Sequence, residues 1–153
     1  MNPNKRYQSL KNIMLAVFGA LFLFIAGAYY LLKNGFLTGN SDLTPTFRII
    51  IPLLAAGGLL ASYLLGKSQL TKAKNAGDLK AKQEAFLQTQ IIKNAVLEFP
   101  GLFCVVSAMI TGEIQFLFIA LAILIVMLIG FPKKDKMMDL LELSPSERAQ
   151  FNQ

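Results

Sequence analysis

With 153 residues, 54% of them hydrophobic, and a mean hydropathy of +0.51, the chain is more apolar than a soluble domain of this size normally is. It has no histidine and one cysteine, which excludes histidine-based catalysis, Cys/His zinc sites, axial histidine ligation of haem and an intrachain disulfide. In so apolar a chain the formal charge of +6 is assigned to orientation and to attraction for anionic lipid headgroups, not to nucleic acid.

Residues 1–12 are polar and carry Lys5, Arg6 and Lys11, after which 13–32 holds no charge and is long enough to cross a bilayer. Ala26-Gly27-Ala28 satisfies the small-residue rule of a signal-peptide cleavage site. The apolar run continues through Tyr29-Tyr30-Leu31-Leu32, however, and is read as a retained first span. A polar connection follows, with turn signals at Asn34-Gly35 and Gly39-Asn40-Ser41. Thr44 and Pro45 read as N-cap and first helical position of a second helix, whose uncharged span is 49–66 between Arg48 and Lys67. Gly58, Ser62 and Gly66 recur every four residues, as do Gly57 and Ala61, which offers small-residue faces for close helix approach.

Residues 67–93 form the largest polar segment, with Lys67, Lys72, Lys74, Lys80, Lys82 and Lys93 against Asp78 and Glu84. Its first part, through Gly77, is expected to be loop. From a capping Asp78, an amphipathic helix is expected to run into the third span with Leu79, Phe86, Leu87, Ile91 and Ala95 on its apolar side. The third span, 94–112, is joined to the fourth, 114–131, by only Thr111-Gly112-Glu113, so the two must be antiparallel neighbours. The fourth is nearly all large and apolar, and is expected to face lipid and to end at Pro132. In the tail, 132–153, Met137, Leu140, Leu141 and Leu143 mark a short apolar face, and Ser144-Pro145-Ser146-Glu147 has capping-box spacing. An ordered tail on the membrane or on the bundle follows.

All Lys and Arg except Lys33 and Arg48 fall in the N-terminal segment, the central segment or the tail. The positive-inside rule then places both termini in the cytoplasm. The expected fold is an all-α polytopic membrane protein of four transmembrane helices, N-in/C-in, with a cytoplasmic helical extension before the third span. Helix contacts are expected at Gly19, Gly57, Gly58, Ser62, Gly66, Gly101 and Ala108, with Ala16, Ala20 and Gly27 on the same seam. Lys72, Lys74, Lys80, Lys82, Lys93, Lys133 and Lys134 are expected to face lipid or a partner.

Glu98 is the one ionisable side chain inside an apolar span. A carboxylate there is by default a proton or ion site, and Asn94, Pro100 and Gly101 accompany it: the proline cannot donate to Val96 and the glycine loosens the turn. The competing reading is that Glu98, so near Lys93, snorkels to the headgroups. The string Ala95-Val96-Leu97-Glu98 and the apolar helix after it resemble the carboxyl-bearing helix of the rotary ATPase proteolipid family, where a membrane carboxylate carries the ion. The likeness covers a short stretch. The glycine-repeated partner helices of that family are missing and Glu98 lies near the start of its helix, so no activity is carried over. Cys104 reads as a small interior position, and Tyr29, Tyr30 and Tyr63 as interfacial anchors.

No catalytic, metal or cofactor constellation stands out. The leading expectation is a non-catalytic accessory or assembly subunit that works through helix contacts and a basic cytoplasmic surface, with a protein partner or a second copy, in a bacterial cytoplasmic membrane. The alternative is an oligomeric ion or small-solute conduit that uses Glu98. A lipid-modifying enzyme would lack any catalytic group beyond that carboxylate.

Overall fold

The computed structural model describes residues 3–131, 133–145 and 147–148. The chain is all-helical, with no strand among the described residues. Helices α1 (Pro3–Lys33), α2 (Thr44–Lys74) and α3 (Leu79–Thr111) are long; α4 (Gln115–Ile129) and α5 (Lys134–Leu140) are short. A 3-10 turn, Ser41–Leu43, precedes α2. Three helices, within Tyr7–Lys33, Ser41–Lys74 and Leu79–Thr111, are long and apolar enough to cross a membrane. Their surfaces agree with a lipid environment. Phe22, Leu23, Phe24, Leu53, Leu60 and Ile129 lie open, while Gln83, Thr89, Gln90, Asn94, Ser107 and Thr111 are buried. Such a distribution suits an integral membrane protein, whose large apolar side chains face acyl chains and whose small and polar ones face each other.

The central helix is α3. It packs against α2 on one side and against α1 and α4 on the other, whereas the consecutive α1 and α2 barely touch. From α1 come Leu10, Met14, Phe18, Leu21, Ile25 and Ala28, at steps of four or three that keep one stripe inward. Ala16, Ala20 and Gly27 face outward, and a Cβ at Gly19 would meet no atom within 4 Å. Apart from Ala28, the α1 seam is therefore built from large residues, not from the small ones that the sequence suggested. The close approach occurs between α2 and α3. A Cβ on Gly58 would stand 2.8 Å from Cγ of Pro100 and 3.5 Å from the carbonyl oxygen of Val96. Gly58 thus accommodates both the proline ring and the carbonyl that the proline leaves without its helical donor. Ser62 Oγ donates to the carbonyl of Lys93 at 3.1 Å, and the Lys93 stem lies over Gly66. Gly57, on the adjacent face, meets nothing within 4 Å. Gly101 receives Leu21 of α1 and Ile123 of α4, and Ala108 is fully buried.

Three further expectations are corrected. Residues 67–74 are helix, not loop, because α2 continues to Lys74 and only 75–78 form the turn before α3. Alanine, leucine, lysine and glutamine favour helix there despite the charge. The buried side of α3 runs through Phe86, Gln90, Asn94 and Leu97, while Ile91 and Ala95 face outward, since apolar side chains lose nothing against lipid. Thr44 is the first residue of α2 and makes no capping bond; its hydroxyl is buried without a partner, and Asn40 instead caps the 3-10 turn by accepting from Asp42 N at 3.0 Å.

The two ends of the bundle are tied differently. At one end Asn40 N donates to Ile110 O at 2.8 Å, and Gly39 lies so close to Thr111 and Gly112 that a Cβ would overlap their backbone. Gly112 closes α3 in the left-handed conformation, φ 78°, and Arg48 reaches Glu113 at 3.4 Å. At the other end a second core gathers Ala73, Phe86, Met137, Met138, Leu141 and Leu143, with Tyr7, Leu70 and Leu79 against it. There the tail rests on the α2–α3 hairpin. Asp78 caps α3 by accepting from Ala81 N at 2.7 Å, and Ser144 and Glu147 exchange backbone-to-side-chain bonds at 2.7 and 3.3 Å.

Helix α4 is antiparallel to α3, but at 15 residues it is about 22 Å long, shorter than the roughly 30 Å hydrocarbon core. It is not wholly peripheral. Phe116, Leu117, Ala120, Ile123, Leu124 and Met127 are buried, and the opposite face is open. The expected stop at Pro132 lies outside the described residues.

Candidate functional site

Polar and charged side chains converge where three apolar segments end together. The apolar part of α2 finishes at Gly66, that of α3 begins after Lys93, and α4 stops at Ile129. Lys93 joins them: its stem crosses Gly66, and its Nζ lies 3.9 Å from where a Cβ on Gly130 would be. A lysine placed at the carboxyl end of α4 meets the negative pole of that helix. Below α4, two open cavities of about 230 and 290 Å³ share Tyr63, Gln90 and Lys93 as walls. Ser62 and Asn94 complete the first; Lys67, Thr89 and Leu140 complete the second.

Several of these polar groups are already committed. Thr89 Oγ donates to Ala85 O at 2.7 Å and Asn94 Nδ2 to Gln90 O at 2.8 Å, each bonding back along its own helix. Gln90 differs. It is 8% exposed, and its amide oxygen is buried without a hydrogen-bond partner. Such a group costs stability unless something pairs with it. The composition of the sequence gives no sign of Gln90, because a glutamine before the third span reads as an ordinary solvated residue. Gln90 lines both cavities, with this oxygen itself enclosed.

Glu98 lies on the neighbouring face of α3, beyond Asn94. It is half-buried and lines a small pocket of about 90 Å³ with Ile13, Met14, Val17, Ile91, Asn94 and Ala95. Asn94 thus separates the Glu98 pocket from the Lys93 cavities. Pro100 and Gly101 do not join Glu98: the proline faces Gly58 and the glycine faces Leu21 and Ile123. Neither glutamate nor aspartate is found with cysteine in any group that would hold a metal among the described residues.

The basic residues also divide. Lys74 pairs with Glu142, and Lys82 with Glu147 at 2.9 Å, so these two hold the tail instead of facing outward. Both carboxyls lie below their ordinary value of 4.5, chiefly through the lysine hydrogen bonds. Lys72, Lys80 and Lys133 are exposed, and Lys134 has a side chain outside those described. Cys104 is buried at 1% exposure within the main core. Tyr29, Tyr30 and Tyr63 are exposed, with Lys33 Nζ 5.6 Å from the Tyr29 ring centre.

A third cavity, about 560 Å³ and almost wholly apolar, opens outward between α2 and α3. Gly57, Gly58, Ala61, Ala95, Phe99 and Pro100 are among its walls. The chain matches no family model, no curated protein and no solved structure.

Proposed function

We propose that the protein is a non-catalytic membrane subunit that receives a transmembrane helix of a partner in the outward groove between α2 and α3. The groove itself carries this reading. Small residues on both helices, Gly57 and Ala61 against Ala95, leave room for close backbone approach, which is how helices associate where no hydrophobic driving force separates them. On this reading α4 completes a fourth crossing with its flanking turns, both termini are cytoplasmic, and Lys72, Lys80 and Lys133 form the basic surface on that side. A bacterial cytoplasmic membrane suits this charge pattern.

The test is purification of the full chain from its membrane in mild detergent. The native protein is expected to retain a partner, and Gly57→Leu, which fills the groove where no atom lies within 4 Å, to lose it without a fall in thermal stability. Repeated recovery of an isolated native monomer would count against the proposal.

A second reading, an ion or solute conduit, draws on the pocket at Glu98. No other ionisable residue lines that pocket. Liposome flux that disappears in Glu98→Gln would favour the conduit, and unchanged flux would retire it.

A further inference from the structure

The paired cavities beneath α4 have the composition of an anion site. Lys67 and Lys93 supply cationic donors, Tyr63 a phenol and Gln90 a carboxamide, and no carboxylate is among their described lining residues. An ammonium carries three donors, so Lys93 can serve α4 and a ligand together. Gln90 adds an independent demand. Its carboxamide offers donors and an acceptor, and the acceptor is buried without a partner. A ligand that meets the lysines must carry an anionic oxygen, and one that also carries an O–H or N–H can pair with this acceptor once the Gln90 side chain turns toward the cavity.

The surroundings narrow the ligand further. Leu59 and Val126, both partly open to the outside, line the cavity on its apolar side and continue into the lipid-facing surface. Lys67 and Leu140 bound it on the charged side, where the end of α5 covers the hairpin. The site is therefore polar at one end and greasy at the other, at the level where the spans meet water. Basic pockets between membrane helices at this depth recognise lipid headgroups.

We propose that these cavities bind one anionic phospholipid whose headgroup carries a hydroxyl. Its phosphate lies between Lys67 and Lys93, its hydroxyl meets Gln90, and its acyl chains lie along Leu59 and Val126. The lipid then fills the gap that the short α4 leaves over the α2–α3 seam. This inference requires a bilayer but no partner helix, so failure of partner recovery and failure of lipid binding are separate results.

The experiment uses the full chain, stripped of lipid in detergent, with phosphatidylglycerol or phosphatidylcholine of identical acyl chains added back. Native mass spectrometry is expected to show one retained phosphatidylglycerol, and thermal unfolding to move upward with that lipid alone. Lys67→Gln, at an exposed position, and Gln90→Leu should each weaken the response about tenfold, the scale of one lost charge-assisted or buried hydrogen bond. Gln90→Leu should also leave the lipid-free protein as stable as before or more so, because it removes an unpaired buried acceptor. Equal stabilisation by phosphatidylcholine, an undiminished response in Lys67→Gln, or the same shift with soluble glycerol phosphate would overturn the proposal.

Discussion

Adjacent glycines on α2 have opposite tasks, and a single methyl group separates them. At Gly58 a Cβ would come within 2.8 Å of Pro100 Cγ, a ring atom fixed to the backbone that cannot swing aside. Gly58→Ala is therefore expected to spread α2 from α3 and to cost about 1–3 kcal/mol, the usual range for overfilling a close-packed seam. At Gly57 the same methyl group meets nothing, so Gly57→Ala is expected to lose no stability. Thermal or denaturant unfolding in one detergent compares the two directly; equal losses would mean that the α2–α3 seam is not organised around Pro100. The four-residue recurrence of Gly58, Ser62 and Gly66 was legible in the sequence, and in the structure Gly58 lies against Pro100, Ser62 bonds to the Lys93 carbonyl and Gly66 lies under the Lys93 stem. Which of the two glycine registers turned inward was not legible, because that depends on where Pro100 meets α2. Gly19 illustrates the same limit: a small residue in a lipid-facing stripe looks identical, in sequence, to one in a contact.

At the scale of the element, the tail is held by charge as well as by its apolar face. Lys82 and Glu147 are both largely enclosed, with side chains 17% and 21% exposed, whereas Glu142 is 71% exposed and its pairing with Lys74 is screened by water. Both carboxyls titrate below 4.5, their ordinary value, so their contribution to docking is complete above that pH and is lost as pH falls through the lower folded values. Hydrogen exchange, corrected for its intrinsic rate, is expected to show the amides of Leu141 and Leu143 losing protection on acidification before those around Cys104 do. Glu147→Gln should reproduce that loss near neutral pH, and more fully than Glu142→Gln. A tail whose protection is independent of pH and of Glu147 would leave the apolar contacts as its whole attachment. The capping signals at Asp78 and Ser144 were readable because they are short-range and chemical. The helical course of 67–74 was hidden by its lysines, and the inward face of α3 by a bilayer-adapted composition that makes both faces apolar.

For the whole molecule, the ends of the bundle already decide which segments share a side. The bond from Asn40 to Ile110 and the Arg48–Glu113 pair put the α1–α2 connection beside the α3–α4 turn. The second core puts 75–78 and α5 at the opposite end. In the proposed four-span arrangement α4 returns across the bilayer, although its regular helix is shorter than the hydrocarbon; thinning of the bilayer or the flanking turns at 112–114 and 130–131 would make up the difference. The orientation proposed above, both termini inside, puts the end with Gly77 in the cytoplasm. In a Cys104→Ala background, which removes the native thiol, Gly77→Cys and Lys133→Cys are expected to react with an impermeant maleimide only after the cells are opened. Thr38→Cys and Gln115→Cys, exposed at the other end, are expected to react in intact cells. Reversal of the whole pattern would overturn the orientation alone. Reaction of Lys133→Cys from the side of Thr38→Cys would mean that α4 does not cross and that the contact between α5 and the hairpin is not formed in the membrane.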